Sequence, residues 1–469
     1  MERNSQRIAT AGISRRTLLL CGAGTLAGAA LAGASLPARA AVRVADLRGT
    51  IDAAEFGIRP GAADDQSSLM QQAIDAAAQR GRALFLPGGR YTVANLRLPS
   101  GTKLVGLPGQ TRFDYQGGGH LIYCEKAKSV GIEGIHFDGG NRFIGEYAPA
   151  LLHFADAQDV AIEGCTVTGS TKMGLALDRC SGRVANSTIS GARLAGLRSV
   201  EASGLAITGN HVHDCANGGI LVHRWREGDD GTIVSGNRVE RIFAREGGTG
   251  QNGNGINIFR AHNVIVRGNR VADCAFSAIR SNGGSGIIIE GNSCLRSGET
   301  AIYSEFAFQG AVIADNLVDG GAIGISIANF LDGGRLATCS GNVVRNIVDT
   351  GPYPAEVQGF GIGIAVEADT ALTGNVVENA ARIGVHMGWG PYLRDVAATS
   401  NVLRDCPIGV AVTVVEGAGP ALIASNMITG ARQGAVVGHR WKEATTGDLT
   451  REDAASRFPH LSVSGNVVR

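Results

Sequence analysis

Residues 268–282 read Gly-Asn-Arg-Val-Ala-Asp-Cys-Ala-Phe-Ser-Ala-Ile-Arg-Ser-Asn, and residues 291–305 read Gly-Asn-Ser-Cys-Leu-Arg-Ser-Gly-Glu-Thr-Ala-Ile-Tyr-Ser-Glu. Each holds a small residue, an Asn, two apolar-leaning positions and then a short strand. The phrase recurs from about residue 130 to the end, with its Asn at 210, 237, 269, 292, 316, 342, 375, 401, 426 and 466. Most gaps lie between 23 and 33 residues. A period of that size marks a stacked array. Three short strands per period fit one coil, and each coil needs its neighbours to bury its apolar face. The expected fold is all-β: a single-stranded right-handed parallel β-helix, a solenoid, with a short N-terminal helical cap.

The repeated Asn reads as a ladder, because Asn tolerates the left-handed turn conformation and its amide can pair with the next coil. Five residues on stand Cys215, Cys274 and Cys406, where other coils carry Ile242, Ile347 and Ala380. These cysteines are expected to point inward as small apolar fillers. Cys215 and Cys274 are expected on adjacent coils, where oxidation after export could join them.

Composition agrees with this architecture. Of 469 residues 69 are Gly and only 12 Pro, without a collagen period. The hydrophobic share of 44% allows a large core and argues against disorder. Formal net charge is +1. The first 40 residues carry +4, from Arg3, Arg7, Arg15, Arg16 and Arg39 against Glu2, so the remainder carries −3. That balance gives no electrostatic case for nucleic acid.

Residues 1–40 read as a signal peptide. Ser14-Arg15-Arg16-Thr17-Leu18-Leu19-Leu20 precedes a Gly/Ala/Leu stretch, and Ala38-Arg39-Ala40 gives a small-x-small cleavage pattern. The Arg pair resembles a twin-arginine export signal. The apolar stretch is short for a ~20-residue span, so no stable membrane span is expected in the mature chain. The export machinery is then a partner, and the mature protein is periplasmic or secreted. There is no phosphate loop, CxxC or HExxH motif, so no cofactor is expected beyond the possibility of calcium.

Residues 41–120 read as the cap and first coils, and 121–469 as the repeats. Asp64-Asp65 precede Leu69, Ala73, Ile74 and Ala77 at helical spacing, with Gly81 as the stop. Leu84-Phe85-Leu86-Pro87-Gly88-Gly89-Arg90-Tyr91 then gives strand, turn and strand. Asp64-Asp65, Gln72-Ala73-Ile74-Asp75-Ala76-Ala77 and Leu86-Pro87-Gly88-Gly89-Arg90-Tyr91 resemble the opening of the pectate-lyase-like β-helix superfamily. Signal and repeat together resemble a family of twin-arginine-translocated β-helix repeat proteins. That resemblance spans essentially the whole chain and confers no activity.

Strands opening at Gly196, Gly219, Gly255, Ala278, Ala301, Gly324, Gly363 and Gly384 can be laid in register. Side chains alternate in and out. One outward column is then Arg198, Leu221, Asn257, Arg280, Tyr303, Ser326, Ala365 and His386. The next is Val200, His223, Phe259, Asn282, Glu305, Ala328, Glu367 and Gly388. Asn257, Arg280, Asn282, Tyr303 and Glu305 form a polar patch. Inserts at 243–254 and 349–360 should rise on the same side. A groove is expected between them, floored by the coils starting at 278, 301 and 324 and about 14 Å wide.

The superfamily resemblance implies polysaccharide, and acidic glycans first. Lyase or epimerase chemistry needs a positive group to neutralise a carboxylate and a base to take the neighbouring proton. Arg280, Tyr303 and Glu305 are the candidate catalytic residues. Asn257, Asn282, His223 and Trp225 are the candidate substrate contacts, and no metal ligands are assigned. Hydrolysis needs two carboxyl groups at ~5–9.5 Å, and only Glu305, with Glu246 on the loop, offers itself. A non-catalytic glycan-binding or structural envelope protein is the alternative, since polar residues on a strand face are ordinary surface. His223-Arg224-Trp225-Arg226-Glu227 returns as His439-Arg440-Trp441-Lys442-Glu443, eight coils away. A recurring way of ending a strand is the plainer reading of that echo.

Overall fold

The computed structural model describes residues 49–248, 250–354, 359–451 and 454–469. The export signal read in residues 1–40 lies outside the described residues. No described helix is long and apolar enough to cross a membrane.

The chain winds into a right-handed parallel β-helix of about 13 turns. Successive strands enter three sheets in rotation, of 16, 15 and 15 strands. In one coil, Ile265–Arg267 lies in the first sheet, Arg270–Cys274 in the second and Ile279–Asn282 in the third. Among the described residues all pairings between strands are parallel except the last of the third sheet, where Glu443–Asp448 turns back on Gly434–Arg440. The cap helix Ser67–Gln79 buries Met70, Ala73, Ile74 and Ala77, and it ends just before Gly81 at φ 62°. Full burial of Met70 and of Ile74 stabilises by roughly 1.5–3 kcal/mol each.

Inside, like residues stack. Ile220, Ile256, Ile279, Ile302, Ile325, Ile364 and Val385 form one buried column through the third sheet. The Gly that opens many of these strands has a steric cause. A Cβ at Gly219 would lie 2.2 Å from the Gly255 carbonyl oxygen of the next coil.

The ten Asn form one continuous ladder, buried from Asn210 to Asn426. Each backbone N–H and each Nδ2 donates to the Oδ1 of the next Asn at 2.9–3.0 Å, from Asn210 through Asn466. Nδ2 also donates to a carbonyl of the preceding coil, as Asn316 does to Ile289. The left-handed residue is not the Asn, however. It is the one before it: Gly209, Gly236, Gly268, Gly291, Asp315, Gly341, Gly374, Ser400, Ser425 and Gly465 all have φ between 56° and 66°. That turn aims the amide inward.

Cys215, Cys274 and Cys406 are buried. The expectation that Cys215 and Cys274 sit on adjacent coils is corrected by register: Cys215 pairs with Ile242, and Ile242 with Cys274. Two rungs separate them by ~10 Å, beyond the ~7 Å Cα limit for a disulfide. All eight described cysteines are free thiols.

Candidate functional site

The expected register of the third sheet is the observed one. Arg198, Leu221, Asn257, Arg280, Tyr303, Ser326, Ala365 and His386 pair in sequence. His223, Phe259, Asn282 and Glu305 pair likewise beside them.

The patch is not an open floor. Arg280 Nε donates to Glu305 Oε1 at 2.5 Å, and Asn282 Nδ2 donates to the same oxygen at 3.0 Å. The Arg280 guanidinium lies 5.2 Å from the Tyr303 ring centroid. On its other side Glu299 Oε2 is 3.8 Å from an Arg280 terminal nitrogen. The side chains of Glu299 and Glu305 are 4% and 3% exposed, so both carboxyls back the guanidinium rather than face solvent. Burial raises the Glu305 and Glu299 pKa values against the pull of Arg280. Burial works to lower the Arg280 pKa, and Glu305 and Glu299 outweigh it. Burial, followed by the Glu305 charge, pushes the Tyr303 phenol up.

The flanking inserts behave differently from each other. Both leave the second sheet and enter the third, after Ile242 and after Ile347. In the later one Tyr353 turns inward. Tyr353 donates its hydroxyl proton to Glu299 Oε1, and its ring packs on Phe360 at 5.5 Å and Phe276 at 6.3 Å. The expected groove is therefore closed on that side. The earlier insert brings Gly250 against Arg280: a Cβ there would lie 1.7 Å from an Arg280 terminal nitrogen. Gly250 also has φ 134°, which only Gly adopts freely. Glu246 on this insert is exposed, unlike the buried Glu299 and Glu305.

What opens to solvent is a pocket of about 330 Å3. His223, Trp225, Gly250, Asn257, Phe259, Arg280, Asn282 and Phe306 line it. Trp225 and Phe259 meet edge to face at 6.3 Å, and His223 lies within 6 Å of both rings. Burial, and then the Arg198 charge, pushes His223 down to about 4, so the ring is neutral at pH 7. Among the described residues neither His223 ring nitrogen nor the Asn257 Oδ1 has a hydrogen-bond partner. Of the sequence-derived candidates, the structure brings His223, Trp225, Asn257, Asn282 and Arg280 to the pocket, with Tyr303 and Glu305 behind it.

The same face carries a second constellation nearer the N-terminus. The outward column continues back through Ala176, His153, Tyr123 and Arg97. Asp178 stands in the neighbouring column, opposite Val200. His153 Nε2 donates to Asp178 Oδ2 at 2.9 Å, and Arg198 lies 3.8 Å from Asp178 Oδ1. Tyr123 and His153 ring centroids are 5.4 Å apart. Tyr147 OH is hydrogen-bonded to His120 Nδ1 at 3.0 Å, and His120 packs on Tyr123. Burial, followed by the Glu125 charge, raises the Tyr123 pKa, which keeps the phenol protonated. His153, Asp178 and Arg198 side chains are 13%, 18% and 19% exposed, more than either glutamate behind Arg280. Sequence reading missed this group. Leu152-His153-Phe154 and Leu175-Ala176-Leu177-Asp178 alternate as the later strands do, so extending the columns past residue 196 would have found it.

Among the described residues no cluster of three or more His, Cys, Asp or Glu is arranged to hold a metal ion. Asp138 and Asp319 are occupied otherwise: Asp138 accepts the Gly140 N–H at 2.8 Å, and Asp319 pairs with Arg345 and Asn346.

A family model described as "right handed beta helix region" matches residues 109–239 and 226–426. The chain belongs to the right-handed β-helix family. Solved structures similar to this β-helix include pre-mature bacteriophage phi29 gene product 12, at 14% identity and TM-score 0.55. The alignment covers 89% of this chain and 56% of that one, so the β-helix spans little more than half of that protein. An N-terminal fragment of the same phi29 protein matches at 16% identity and TM-score 0.57, over 89% of this chain and 72% of the fragment. The A-module of an Azotobacter vinelandii mannuronan C-5 epimerase aligns at 14% identity and TM-score 0.46, over 89% and 99%. At these identities the likeness is one of fold. No curated protein sequence matches the chain.

Proposed function

We propose that this β-helix is an exported protein acting on an acidic polysaccharide, by the proton-transfer chemistry of a lyase or epimerase. The observation that carries the reading is the group Tyr123, His153, Asp178 and Arg198 on one outward strand face. Removing a proton beside a carboxylate needs a positive neutraliser, an oriented base and a proton donor. Arg198 is the neutraliser. His153 is the base, held in one tautomer by Asp178. Tyr123, kept protonated, is the acid that serves a leaving oxygen or the opposite face of the sugar. The pocket at Trp225, Phe259, Asn257, Asn282 and Arg280 lies on the same columns. There a further sugar of the chain stacks on aromatic walls and bonds to the amides. Arg280, Tyr303 and Glu305 serve that pocket: the buried pair orients the guanidinium.

Export rests on Arg15-Arg16 ahead of an apolar stretch and on Ala38-Arg39-Ala40. The mature chain is accordingly periplasmic or secreted, after folding in the cytoplasm and passage through the twin-arginine machinery.

A second reading is a glycan-binding protein without catalysis, favoured by the pocket's aromatic and amide lining. Incubating the mature protein with a panel of uronate polysaccharides, with calcium or with chelator, separates the two. New ultraviolet absorbance from unsaturated ends, lost in His153→Ala, supports the lyase. Retention on a polysaccharide gel with no chemical change supports the binding protein.

A further inference from the structure

The echo of His223-Arg224-Trp225 in His439-Arg440-Trp441 is more than a repeated strand ending. Register places the two on one line of the third sheet. Val222 pairs with Ile258, and the line runs on through Ser281, Ser304, Ile327, Val366, Met387 and Val412 to Gly438. His223 and His439 are the next residues in each strand. Both Trp stand two residues beyond these His, Trp225 in the irregular stretch between His223 and Gly228 and Trp441 in the turn after Arg440, eight rungs or ~38 Å apart along the axis.

Each copy builds a similar surface. Trp225 is 56% exposed, beside His223 and Phe259. Trp441 is 47% exposed and meets Trp389 edge to face at 5.3 Å. His386 lies 6.2 Å from Trp389 and 6.1 Å from His439. Thr413 donates its hydroxyl proton to Gly390 O at 2.7 Å, fixing the turn that holds Trp389. His439 Nε2 is buried and has no hydrogen-bond partner among the described residues. Trp441 itself is held at φ 55° in the turn back to Glu443. A bulky residue in that left-handed conformation is an outlier, where Gly or Asn would fit without strain. An exposed indole kept at such a position, beside a second indole, presents its faces to something outside the chain.

The geometry points to a distal sugar-binding subsite at Trp389 and Trp441, engaged by the same polysaccharide chain that occupies the Trp225 pocket. The inference rests on the proposed function and adds that the substrate is a long polymer, lying along the helix axis. Indole faces stack on sugar rings. Two sites on one rigid sheet make the second contact intramolecular, which strengthens binding by about 10²-fold or more only for chains that reach both.

The test is a length series of the bound polysaccharide, with dissociation constants measured by calorimetry for wild type, Trp441→Ala and Trp389→Phe. Wild type should show a step of about 100-fold in affinity as fragments exceed the span, and Trp441→Ala should lack the step. A wild type that binds short and long chains alike overturns the distal subsite while leaving the proposed function standing. So does a step that persists in Trp441→Ala melting with wild type. Failure to bind any polysaccharide overturns both. The wild-type series decides the matter even if a variant does not fold.

Discussion

A single Asn in this chain does the work of several backbone pairings. Asn316 Oδ1 accepts from both the N–H and the Nδ2 of Asn292, and its own Nδ2 reaches Ile289 and Asn342. Asn316→Ala strands two buried donors, each costing about 1–3 kcal/mol. The variant should lose about 3 kcal/mol or more and melt well below wild type in calorimetry. The ladder was legible because its period sits on the surface of the sequence. The left-handed preceding residue was not, because Asn and Gly both tolerate that conformation and only the backbone decides between them. At the site, Asp178→Asn removes the charge that orients His153. Turnover should fall about 10²-fold or more, with His153→Ala at least as low; equal turnover in both variants and wild type would remove the dyad from the chemistry.

At the scale of elements, the strands of the third sheet could be registered from Gly-Ile and Ala-Ile openings alone. The inserts between sheets could not, since their side chains obey no period. Tyr353 illustrates this: its role depends on reaching back to Glu299, 54 residues earlier. Glu299 was overlooked for the same reason, sitting at a corner outside the alternation. Tyr353→Phe leaves a buried carboxyl without that donor and should cost about 1–3 kcal/mol, read as faster proteolysis within residues 349–360. Gly250→Ala forces either the insert or Arg280 to move. It should weaken glycan binding at the Trp225 pocket while the melting temperature changes little, because the insert lies outside the stacked core.

For the whole molecule, buried titratable groups set the pH range of stability. Burial holds His120 and His223 at about 4, with Arg97 and Arg198 adding to the effect, and burial with His439 holds His386 at about 3. The unfolded chain binds these protons near 6.5, so between that value and about 4 it binds more than the folded one. Stability therefore rises with pH through that window and is lost on acidification. Glu367, raised to about 7 by burial, acts oppositely between about 4.5 and 7. Glu299, Glu305 and Asp230, also raised by burial, act in the same sense as Glu367. The histidines are joined on their side by His136, His211 and His439, lowered by burial, and by Asp156, Asp214 and Asp273, held down by hydrogen bonds from Arg179, Arg241 and Arg296. Melting temperature should fall from pH 7 to pH 4.5, and Glu367→Gln should steepen the fall.

The proposed chemistry has one step common to lyase and epimerase, loss of the proton beside the uronate carboxylate. Proton NMR of a uronate polysaccharide with the mature protein in deuterium oxide follows that proton directly. Its C5–H signal should disappear with wild type and persist with His153→Ala. A signal that persists with folded wild-type protein, across the uronate polysaccharides it binds, would contradict the account.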